Sequence, residues 1–542
     1  MKPAMTRPYS PLFPLAALSA ALLMSTAQAE SPTAPPTAPL TRGIAVVPAG
    51  SPAAMEDGVR IDALAGPEAA ALRGLFSLQL GRPLTPQSVQ ALVTEVNRRL
   101  ARSGQAFSVA GVPDQDVSRG QLRIEVTQGR LGRLRIEGAA DPDGLASRIA
   151  LRGDEALEAD AVDRELGWLE RAAPGRQVQA KFEPGRSPGA VDVTLQVQEL
   201  PRLQWSAGAD NTGSPVTGRE RVSAGVTLNR LLHADDQATL RLIASPDFEH
   251  TRTLAAGYTT ALPWRHLLSL NANESRIRGR MPEPLALTGG SSGQSLRYEV
   301  PLRLAGAWTD GVVLGFDHKR SDNNLLFSET PVTQTVTRIG QFLLGYQARQ
   351  QDDWGSTRLS LNLVMSPGGL ADTNEDAAFD ATRPGATARY RYVQLQADRS
   401  TPLGPLTWAA SVTLQQANAN LLGSEQINGG GVSGVRGFAE GAGFGDSGWV
   451  WRNELRGPAW QPGGGVIVTP SLLADAAQLR VHRAQPGEPA KRTLASAGVG
   501  LSASLPGGFW LQLQWSQRLR SGLLAQPKGG DRLHVSLQWN WL

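Results

Sequence analysis

Short segments in which apolar and polar residues alternate fill the chain from residue 202 to its end. Such alternation places successive side chains on opposite faces of a β-strand. Each segment is long enough to cross an outer membrane, which takes about 9–11 residues per strand. An even number of strands is required of single-chain bacterial barrels. We predict sixteen: 202–212, 219–230, 236–246, 251–261, 267–277, 294–304, 307–319, 336–349, 356–366, 389–399, 405–418, 448–456, 466–479, 492–504, 509–519 and 531–542.

The final segment, DRLHVSLQWNWL, shows the alternation most clearly. Its apolar face consists of Leu533, Val535, Leu537, Trp539 and Trp541. Its polar face consists of Arg532, His534, Ser536, Gln538 and Asn540. Lipid outside and water inside explain this pattern, whereas two alternating tryptophans on a soluble edge strand would promote aggregation. The sequence therefore predicts a transmembrane β-barrel over residues 201–542.

Residues 56–200 are patterned differently and predict two small α+β units, 56–130 and 131–200. In the first, apolar residues recur at helical spacing between an N-cap at Thr85, with Pro86 at the first helical position, and Gly104 just past the end. Each unit is expected to hold about three strands and two helices. The other predicted elements are strands at 120–129, 133–138, 176–182 and 190–199 and helices near 143–152 and 158–171.

The first 29 residues are typical of a signal peptide. Lys2 and Arg7 precede an apolar core at 12–24, and Ala27-Gln28-Ala29 is a small-x-small cleavage signal. The apolar core is too short for a membrane-spanning helix. Residues 30–55 are rich in Pro, Ala and Thr and predict an extended, poorly ordered linker.

Composition narrows the function further. The net charge of +4 over 542 residues is too small to indicate a nucleic-acid partner, and the absence of cysteine excludes disulfides and thiol chemistry. No metal-ligand spacing, nucleophile constellation or dinucleotide fingerprint is present, so no enzyme, cofactor or metal site is predicted. DTNEDAAFD (372–380) has calcium-like acidic spacing but lacks the central turn glycine. We expect a solvated extracellular loop there.

A glycine-rich stretch interrupts the strands. Nine of the twenty residues from 429 to 448 are glycine, and a single arginine, Arg436, lies in its middle. A lone loop arginine is ordinarily just a solvated charge. Glycines permit backbone conformations and close approaches that other residues cannot make, so this loop could instead be threaded through a crowded barrel.

Several motifs resemble those of the two-partner secretion transporters, the TpsB proteins that secrete haemagglutinins and haemolysins. VPDQDVSRGQLRIEVTQGRLGRLRIEG (112–138) is similar to the family's POTRA signature, and SPGGLADTNEDAAF (366–379) to its acidic extracellular segment. Most specific are GVRGF (434–438) and GDSGWVWRNEL (445–455), which are similar to the family's loop-six motif and the strand after it. The resemblance covers about residues 56–542.

The resemblance implies that loop 420–447 folds back into the barrel lumen and that its arginine pairs with an aspartate on an inner-wall strand. Val435, Arg436, Gly437 and Phe438 would form this latch, with Phe438 as its apolar contact. Asp475 is the expected partner, and strand parity supports it, because Asp475 lies on the face opposite Val466, Val468, Leu472 and Ala474. The family often has a glycine where this chain has Ala477. Which face of WVWRNEL (449–455) meets lipid stays open.

The resemblance also implies the function: an outer-membrane transporter with periplasmic POTRA domains that secretes, and in some members activates, a large unfolded exoprotein such as an adhesin, haemolysin or contact-dependent toxin. Expected partners are the exoprotein, bound through the POTRA domains, and outer-membrane lipid, with the barrel a monomer. Strands 133–138 and 190–199 are expected at sheet edges, where a client could pair. The alternatives are an insertase of the same superfamily, a passive porin and a surface adhesin.

Overall fold

The computed structural model describes residues 38–52, 54–153, 155–214, 217–279, 285–327, 330–523 and 525–541. The chain divides into two compact units, which change over near residue 200. The predicted signal peptide, 1–29, and the first part of the predicted linker lie outside the described residues. No helix in the described part of the chain is long and apolar enough to cross a membrane.

The first sheet of the N-terminal unit has four strands in the order β2-β1-β4-β3, with β1 parallel to both of its neighbours. Two helices cover it, and the core contains Ile44, Leu72, Phe76, Leu100 and Leu122. Its elements are β1 (Gly43–Pro48), β2 (Gly58–Ile61), α1 (Gly66–Ser77), α2 (Pro86–Arg102), β3 (Val109–Gly111) and β4 (Gln121–Thr127).

Strand β1 corrects the prediction of a linker through residue 55. Its residues 43–47 are buried, and it lies between two parallel strands. Strands enclosed in this way are short continuous apolar runs rather than alternating ones. The run Ile-Ala-Val-Val was hidden because the surrounding window is dominated by Pro, Ala and Thr. The first unit therefore has four strands rather than three.

Helix α2 begins and ends as its sequence predicts. The Thr85 side chain accepts a hydrogen bond from the Ser88 backbone N–H at 3.2 Å, and the Ser88 hydroxyl accepts one from the Thr85 N–H at 2.9 Å. This reciprocal pair satisfies backbone donors that a helix start leaves unpaired. Gly104, beyond the last turn, has a φ of +84°, which favours glycine.

The second sheet has three strands in the order β5-β7-β6. Strand β5 is therefore an edge, as expected, but β7 is central, and the expectation that 190–199 forms an edge is wrong. Parallel pairing with β5 on one side and antiparallel pairing with β6 on the other explain its position. The elements are β5 (Arg130–Glu137), α3 (Pro142–Ala146), α4 (Ala159–Ala172), β6 (Gln177–Pro184) and β7 (Ala190–Gln198).

The C-terminal unit is a closed antiparallel barrel of sixteen crossing strands, as predicted, which the pairing of the last strand with the first closes. A short hairpin segment, β22, adds to it. The crossing strands are β8 (Leu203–Asp210), β9 (Arg221–Asn229), β10 (Gln237–Ala244), β11 (Thr251–Ala261), β12 (Leu267–Gly279), β13 (Leu285–Arg303), β14 (Trp308–Phe327), β15 (Thr330–Asp352), β16 (Gly355–Pro367), β17 (Arg389–Leu403), β18 (Leu406–Ala417), β21 (Ser447–Arg456), β23 (Val466–Arg480), β24 (Lys491–Leu505), β25 (Phe509–Arg520) and β26 (Asp531–Trp541). The remaining elements are α5 (Asp376–Thr382), β19 (Ile427–Asn428), β20 (Phe444–Gly445) and β22 (Trp460–Gly463).

Three strands, β13 to β15, are longer than predicted and run to 19, 20 and 23 residues. A strand that crosses the membrane needs only about 9–11 residues. The additional part of β13 includes the run GGSSG (289–293), which lacks an apolar face. Alternation marks only the stretch between lipid and lumen, so it could not reveal backbone pairing that continues beyond this stretch.

The strand faces agree with the parity of the sequence. On β23, Leu472 points outward with 60% of its surface exposed, whereas Asp475 is 4% exposed. On β26, His534 is buried and Leu533 is exposed. On β21, whose orientation the sequence left open, Trp451 points outward, and Arg452 lies in register with Asp475 on the inner face.

Candidate functional site

Residues 418–446, which we call loop six, connect β18 to β21 and fold as a compact element rather than a linker. Strands β19 and β20 pair as a short antiparallel ribbon at its base. Beyond this ribbon, the Gly429 N–H donates to the Gly443 carbonyl at 2.9 Å, and the Val435 N–H donates to the Gly429 carbonyl at 2.8 Å. The loop tip, residues 435–438, is thereby turned back against the base.

Glycine is needed at the tip because the backbone passes very close to its surroundings. A Cβ atom at Gly437 would lie 2.8 Å from Cβ of Ser496 on β24, and one at Gly434 would lie 2.6 Å from the Gly429 carbonyl oxygen. Both distances are shorter than van der Waals contact allows. The glycine content therefore reflects close packing of the tip.

Arg436 at the tip forms a two-pronged ion pair with Asp475. Its Nε lies 2.8 Å from Oδ2 and its Nη2 lies 2.6 Å from Oδ1, and the Arg436 backbone N–H also donates to Oδ2 at 3.1 Å. The remaining guanidinium donors bind Glu454 at 3.2 Å and the Asn453 carbonyl at 2.8 Å. A planar guanidinium suits this geometry, because its donors match both carboxylate oxygens. The structure thus brings together the two residues that the sequence paired.

Two further wall residues hold the backbone of the tip. The Arg436 carbonyl lies 2.8 Å from Nε2 of His534, and the Gly437 N–H donates to the Ser496 hydroxyl at 3.2 Å. Sequence reasoning placed His534 on the polar face of the last strand but assigned it no role. Nothing in the local sequence signals this contact, because the two residues are 98 positions apart.

Val435 and Phe438 anchor the tip by apolar packing. Both are fully buried in a cluster with Leu479, Leu494 and Ala477. Ala477 stands where the family often has glycine, and its methyl group packs in this cluster. The guanidinium carbon of Arg518 lies 5.8 Å from the centre of the Phe438 ring, which is within range of a cation–π contact.

Comparison with known proteins identifies the family. Residues 189–503, more than half of the chain, match the family described as haemolysin secretion/activation protein ShlB/FhaC/HecB. The chain belongs to this family. Residues 62–129 also match the ShlB-type POTRA domain.

Similarity to individual proteins agrees with this family assignment. The chain is 28% identical over 391 residues to the outer membrane transporter CdiB of Dickeya dadantii (strain 3937), covering 69% of this chain and 67% of the relative. It is 22% identical over 395 residues to the heme/hemopexin transporter protein HuxB of Haemophilus influenzae (strain 86-028NP), covering 70% and 67%. The solved structure of CdiB from Escherichia coli has the same fold, with a TM-score of 0.75 at 20% identity, covering 96% of this chain and 93% of that one.

The chain is therefore an outer-membrane transporter of the two-partner secretion type, with its POTRA domains in the periplasm. The resemblance found in the sequence, the fold class and the location are confirmed. The family is one of secretion proteins, and the expectation that this member is no enzyme stays a prediction.

In this transporter the returning limb of loop six carries an anchor that sequence reasoning missed. Asp446 is fully buried, and Arg383 pairs with it, with Nη1 at 2.5 Å and Nη2 at 3.2 Å. The backbone N–H groups of Leu421 and His482 donate to the same carboxylate at 2.9 and 2.8 Å, and the Gln426 amide donates at 3.0 Å. One carboxylate thus joins three separate connecting segments. The only local signal was an aspartate immediately before a strand, in GDSG.

The outgoing limb has an anchor of its own. Glu425 is buried, with the Lys319 ammonium 2.6 Å from Oε1 and the Tyr392 hydroxyl 3.0 Å from Oε2. Lys319 belongs to β14 and Tyr392 to β17. These partners are more than thirty residues from Glu425 in sequence, so no spacing could reveal them.

The acidic side chains of the segment 372–380 are exposed, as predicted, but the segment is more ordered than the expected loop. Its second half forms helix α5, and Phe379 is fully buried in a cluster with Tyr390 and Leu421. Asp376 and Asp380 accept backbone hydrogen bonds from Ala388 and Gly385. The carboxylates therefore order the connection itself. In the described part of the chain, no cluster of acidic, histidine or cysteine side chains could hold a metal ion.

Proposed function

We propose that this transporter secretes a large partner exoprotein through its barrel and that residues 435–438 are a latch whose wall partner is Asp475. The observation that carries the proposal is the buried tip of loop six, where Arg436 is 1% exposed. A client that crosses the lumen needs the space which this tip occupies. The tip must therefore leave the wall during transport.

The free energy of separating Arg436 from Asp475 determines how often the tip leaves the wall. Separating a buried ion pair without replacement costs about 3–5 kcal/mol. A gap of that size keeps the tip docked at rest and allows a bound client to shift the equilibrium through its own preference for the released state. Binding or folding of the client outside the cell would supply the direction of transport.

The relatives support a proposal for the class of client. The CdiB relatives are outer membrane transporters and HuxB is a heme/hemopexin transporter protein. For this chain we propose an extended, unfolded exoprotein of the adhesin, haemolysin or contact-dependent toxin type. The barrel closes on itself, and we expect it to act as a monomer with its outward apolar residues in lipid.

Capture of the client is proposed to use the open edge of β5. An extended chain can add to such an edge through backbone hydrogen bonds, which require little sequence identity. Within the described residues β5 pairs with β7 on one side, and a single bridge between Arg130 and Ala156 lies on the other. The boundaries proposed for the two POTRA domains, 56–130 and 131–200, need extension at their start to include β1.

Site-specific photo-crosslinking tests the edge assignment. Arg135, Thr194 and Lys181 lie in one row across β5, β7 and β6. A photoreactive residue at Arg135 should crosslink to the client more strongly than one at Lys181, which lies on the opposite edge. Equal or reversed yields would reject β5 as the capture edge.

A reversible tether tests the latch. The chain has no cysteine, and a side chain introduced at Gly437 would place its Cβ 2.8 Å from Cβ of Ser496, which is within about 1 Å of disulfide geometry. Gly437→Cys with Ser496→Cys should stop secretion when oxidised, and reduction should restore it to the level of Gly437→Cys alone, which carries the cost of a Cβ at this closely packed position. The two single cysteine variants, which cannot form the internal bond, are the controls. Normal secretion through the oxidised barrel would refute the latch.

A further inference from the structure

The carboxylate of Asp475 depends on the latch for its hydrogen bonds. Among the described residues all of its donors belong to Arg436: the backbone N–H, Nε and Nη2. The Asp475 side chain is fully buried in this state. When the tip leaves, the carboxylate loses every one of these donors at once.

Glu454, the other acidic partner of Arg436, keeps a basic partner when the tip leaves. Glu454 binds Arg436 through Oε2 at 3.2 Å and Arg456 through Oε1 at 2.9 Å. Arg456 lies on the same strand as Glu454 and does not move with loop six. Release of the tip therefore leaves Glu454 with a cation and Asp475 without one.

Arg452 lies directly beside the carboxylate that would be left unpaired. It is the register partner of Asp475 between β21 and β23, so both side chains emerge on the inner face at neighbouring positions. The buried Nε of Arg452 has no hydrogen-bond partner in the part of the chain that the structure describes. The charges that act on Arg452 include those of Arg436, Asp475, Glu454 and Asp398, and that of Glu440 in loop six.

We propose that Arg452 is the exchange partner of the latch: when Arg436 leaves, the Arg452 guanidinium takes its place on Asp475. This inference rests on the proposed latch function. An arginine with an unused donor costs stability in the docked state, and the same donor becomes satisfied in the released state. Exchange replaces the rupture of an ion pair by a change of partner, which lowers the free-energy gap between the two positions of the tip.

A cysteine at position 496 reports the released state. Ser496 is 2% exposed beneath the tip, and the chain has no other cysteine that could react. In the full-length protein in lipid vesicles, the rate at which a maleimide labels Ser496→Cys measures how often the tip leaves. Adding Arg452→Gln should slow labelling about tenfold, because the buried Asp475 carboxylate would then have no cation to take the place of Arg436 when the tip leaves. Arg452→Lys, which keeps the charge, should restore most of the rate.

Dependence on Asp475 separates exchange from simple repulsion between Arg452 and Arg436. In the Asp475→Asn background, exchange predicts that Arg452→Gln no longer slows labelling. Repulsion predicts that it still does, because Arg436 is unchanged, and that result would overturn the proposal. A shift of the barrel on cold SDS gels confirms that each variant is folded.

The same measurement distinguishes failure of the exchange from failure of the latch. If Ser496→Cys labels in the parent protein and Arg452→Gln leaves its rate unchanged, exchange is wrong and the latch stands. If Ser496→Cys is never labelled, even with Arg436→Ala, the tip does not leave the wall, and both proposals fail.

Discussion

The free-energy cost of burying the Arg436 charge is offset because each guanidinium nitrogen has a hydrogen-bond acceptor. Removing a guanidinium from water costs several kcal/mol, and only excellent geometry with further hydrogen bonds offsets it. Asp475 supplies two contacts, and Glu454 and the Asn453 carbonyl supply the others. At this scale the proposed latch depends on one arginine.

Replacement of Arg436 should undock the tip without unfolding the barrel. Arg436→Ala removes contacts worth about 3–5 kcal/mol to the docked state, so we expect normal insertion but secretion of the client that departs from the parental level, measured in culture supernatants. Arg436→Asp combined with Asp475→Arg should recover part of the activity. Recovery is incomplete because Glu454 still faces position 436. Unchanged secretion by Arg436→Ala, or no recovery by the pair, would contradict a direct latch contact.

At the scale of elements, loop six has a buried charged anchor on each limb and one at its tip. Glu425 anchors the outgoing limb, Arg436 the tip and Asp446 the returning limb. The Asp446 anchor is distinct because it also binds the segment that carries α5, through Arg383. Loop six and this segment should therefore loosen together.

Asp446→Asn tests that coupling. It removes the charge opposite Arg383, and one oxygen that accepts hydrogen bonds becomes a donor, at a local cost of about 3–5 kcal/mol. Faster amide exchange is expected in residues 376–388, 418–428 and 481–490, measured by mass spectrometry. The matched control is Asp372→Asn, an exposed aspartate of the same connection. If protection stays unchanged in residues 376–388 and 481–490, Asp446 does not couple these segments to loop six.

In the periplasmic unit, Asp192 joins β7 to β5. The backbone N–H and then the guanidinium of Arg133 hydrogen-bond its carboxylate and hold the pKa of Asp192 below the ordinary 3.8. A depressed folded-state pKa stabilises the fold above pH 3.8, and this contribution is lost as the pH falls through the lower folded value.

Asp192→Asn should accordingly lower the urea midpoint of the periplasmic unit at pH 7. The difference from the parent should shrink as the pH falls below 3.8. Circular dichroism at 222 nm reports this transition, because helices α1 to α4 all lie in that unit. Glu137→Gln, at an exposed position of β5 that is not in register with Asp192, is the control. A difference that persists unchanged at low pH would contradict the assignment.

At the scale of the whole molecule, loop six reaches across the barrel. Its contacts include Lys319 on β14, Tyr392 on β17, Asp475 on β23 and His534 on β26. These strands lie at separate positions around the closed barrel. We therefore expect the loop to obstruct the lumen rather than to line one side of it.

Removing the tip should open a pore. Asn428 and Phe444 are paired in the ribbon, so deletion of residues 430–442 leaves Gly429 and Gly443 as a two-residue hairpin turn. Single-channel conductance in planar bilayers should rise well above that of the parent. The oxidised Gly437→Cys, Ser496→Cys barrel should stay at or below the parental conductance. Equal conductance of deletion and parent would show that the loop does not obstruct the pore.

Strand number and strand faces could be predicted from the sequence because they rest on local information, whereas the Arg436–Asp475 pair was implied by the resemblance of the loop-six motif to the family, with strand parity in support. Alternation reports lipid against water at every strand, and parity alone placed Asp475 inside. The linker and the β7 edge were predicted wrongly, because whether a strand is central depends on neighbours that are distant in sequence. Asp446, Glu425 and His534 were missed for the same reason.

The sequence by itself therefore determined the two-part architecture, the barrel wall and the residue at the tip of loop six. Only the tertiary structure decided which partners the loop meets: Arg383, Lys319 and His534 approach it from strands and connections far away along the chain. The physical reason is that the sheet closes into a barrel. A barrel brings its first and last strands together, so the groups that face one point of its lumen come from the whole length of the chain.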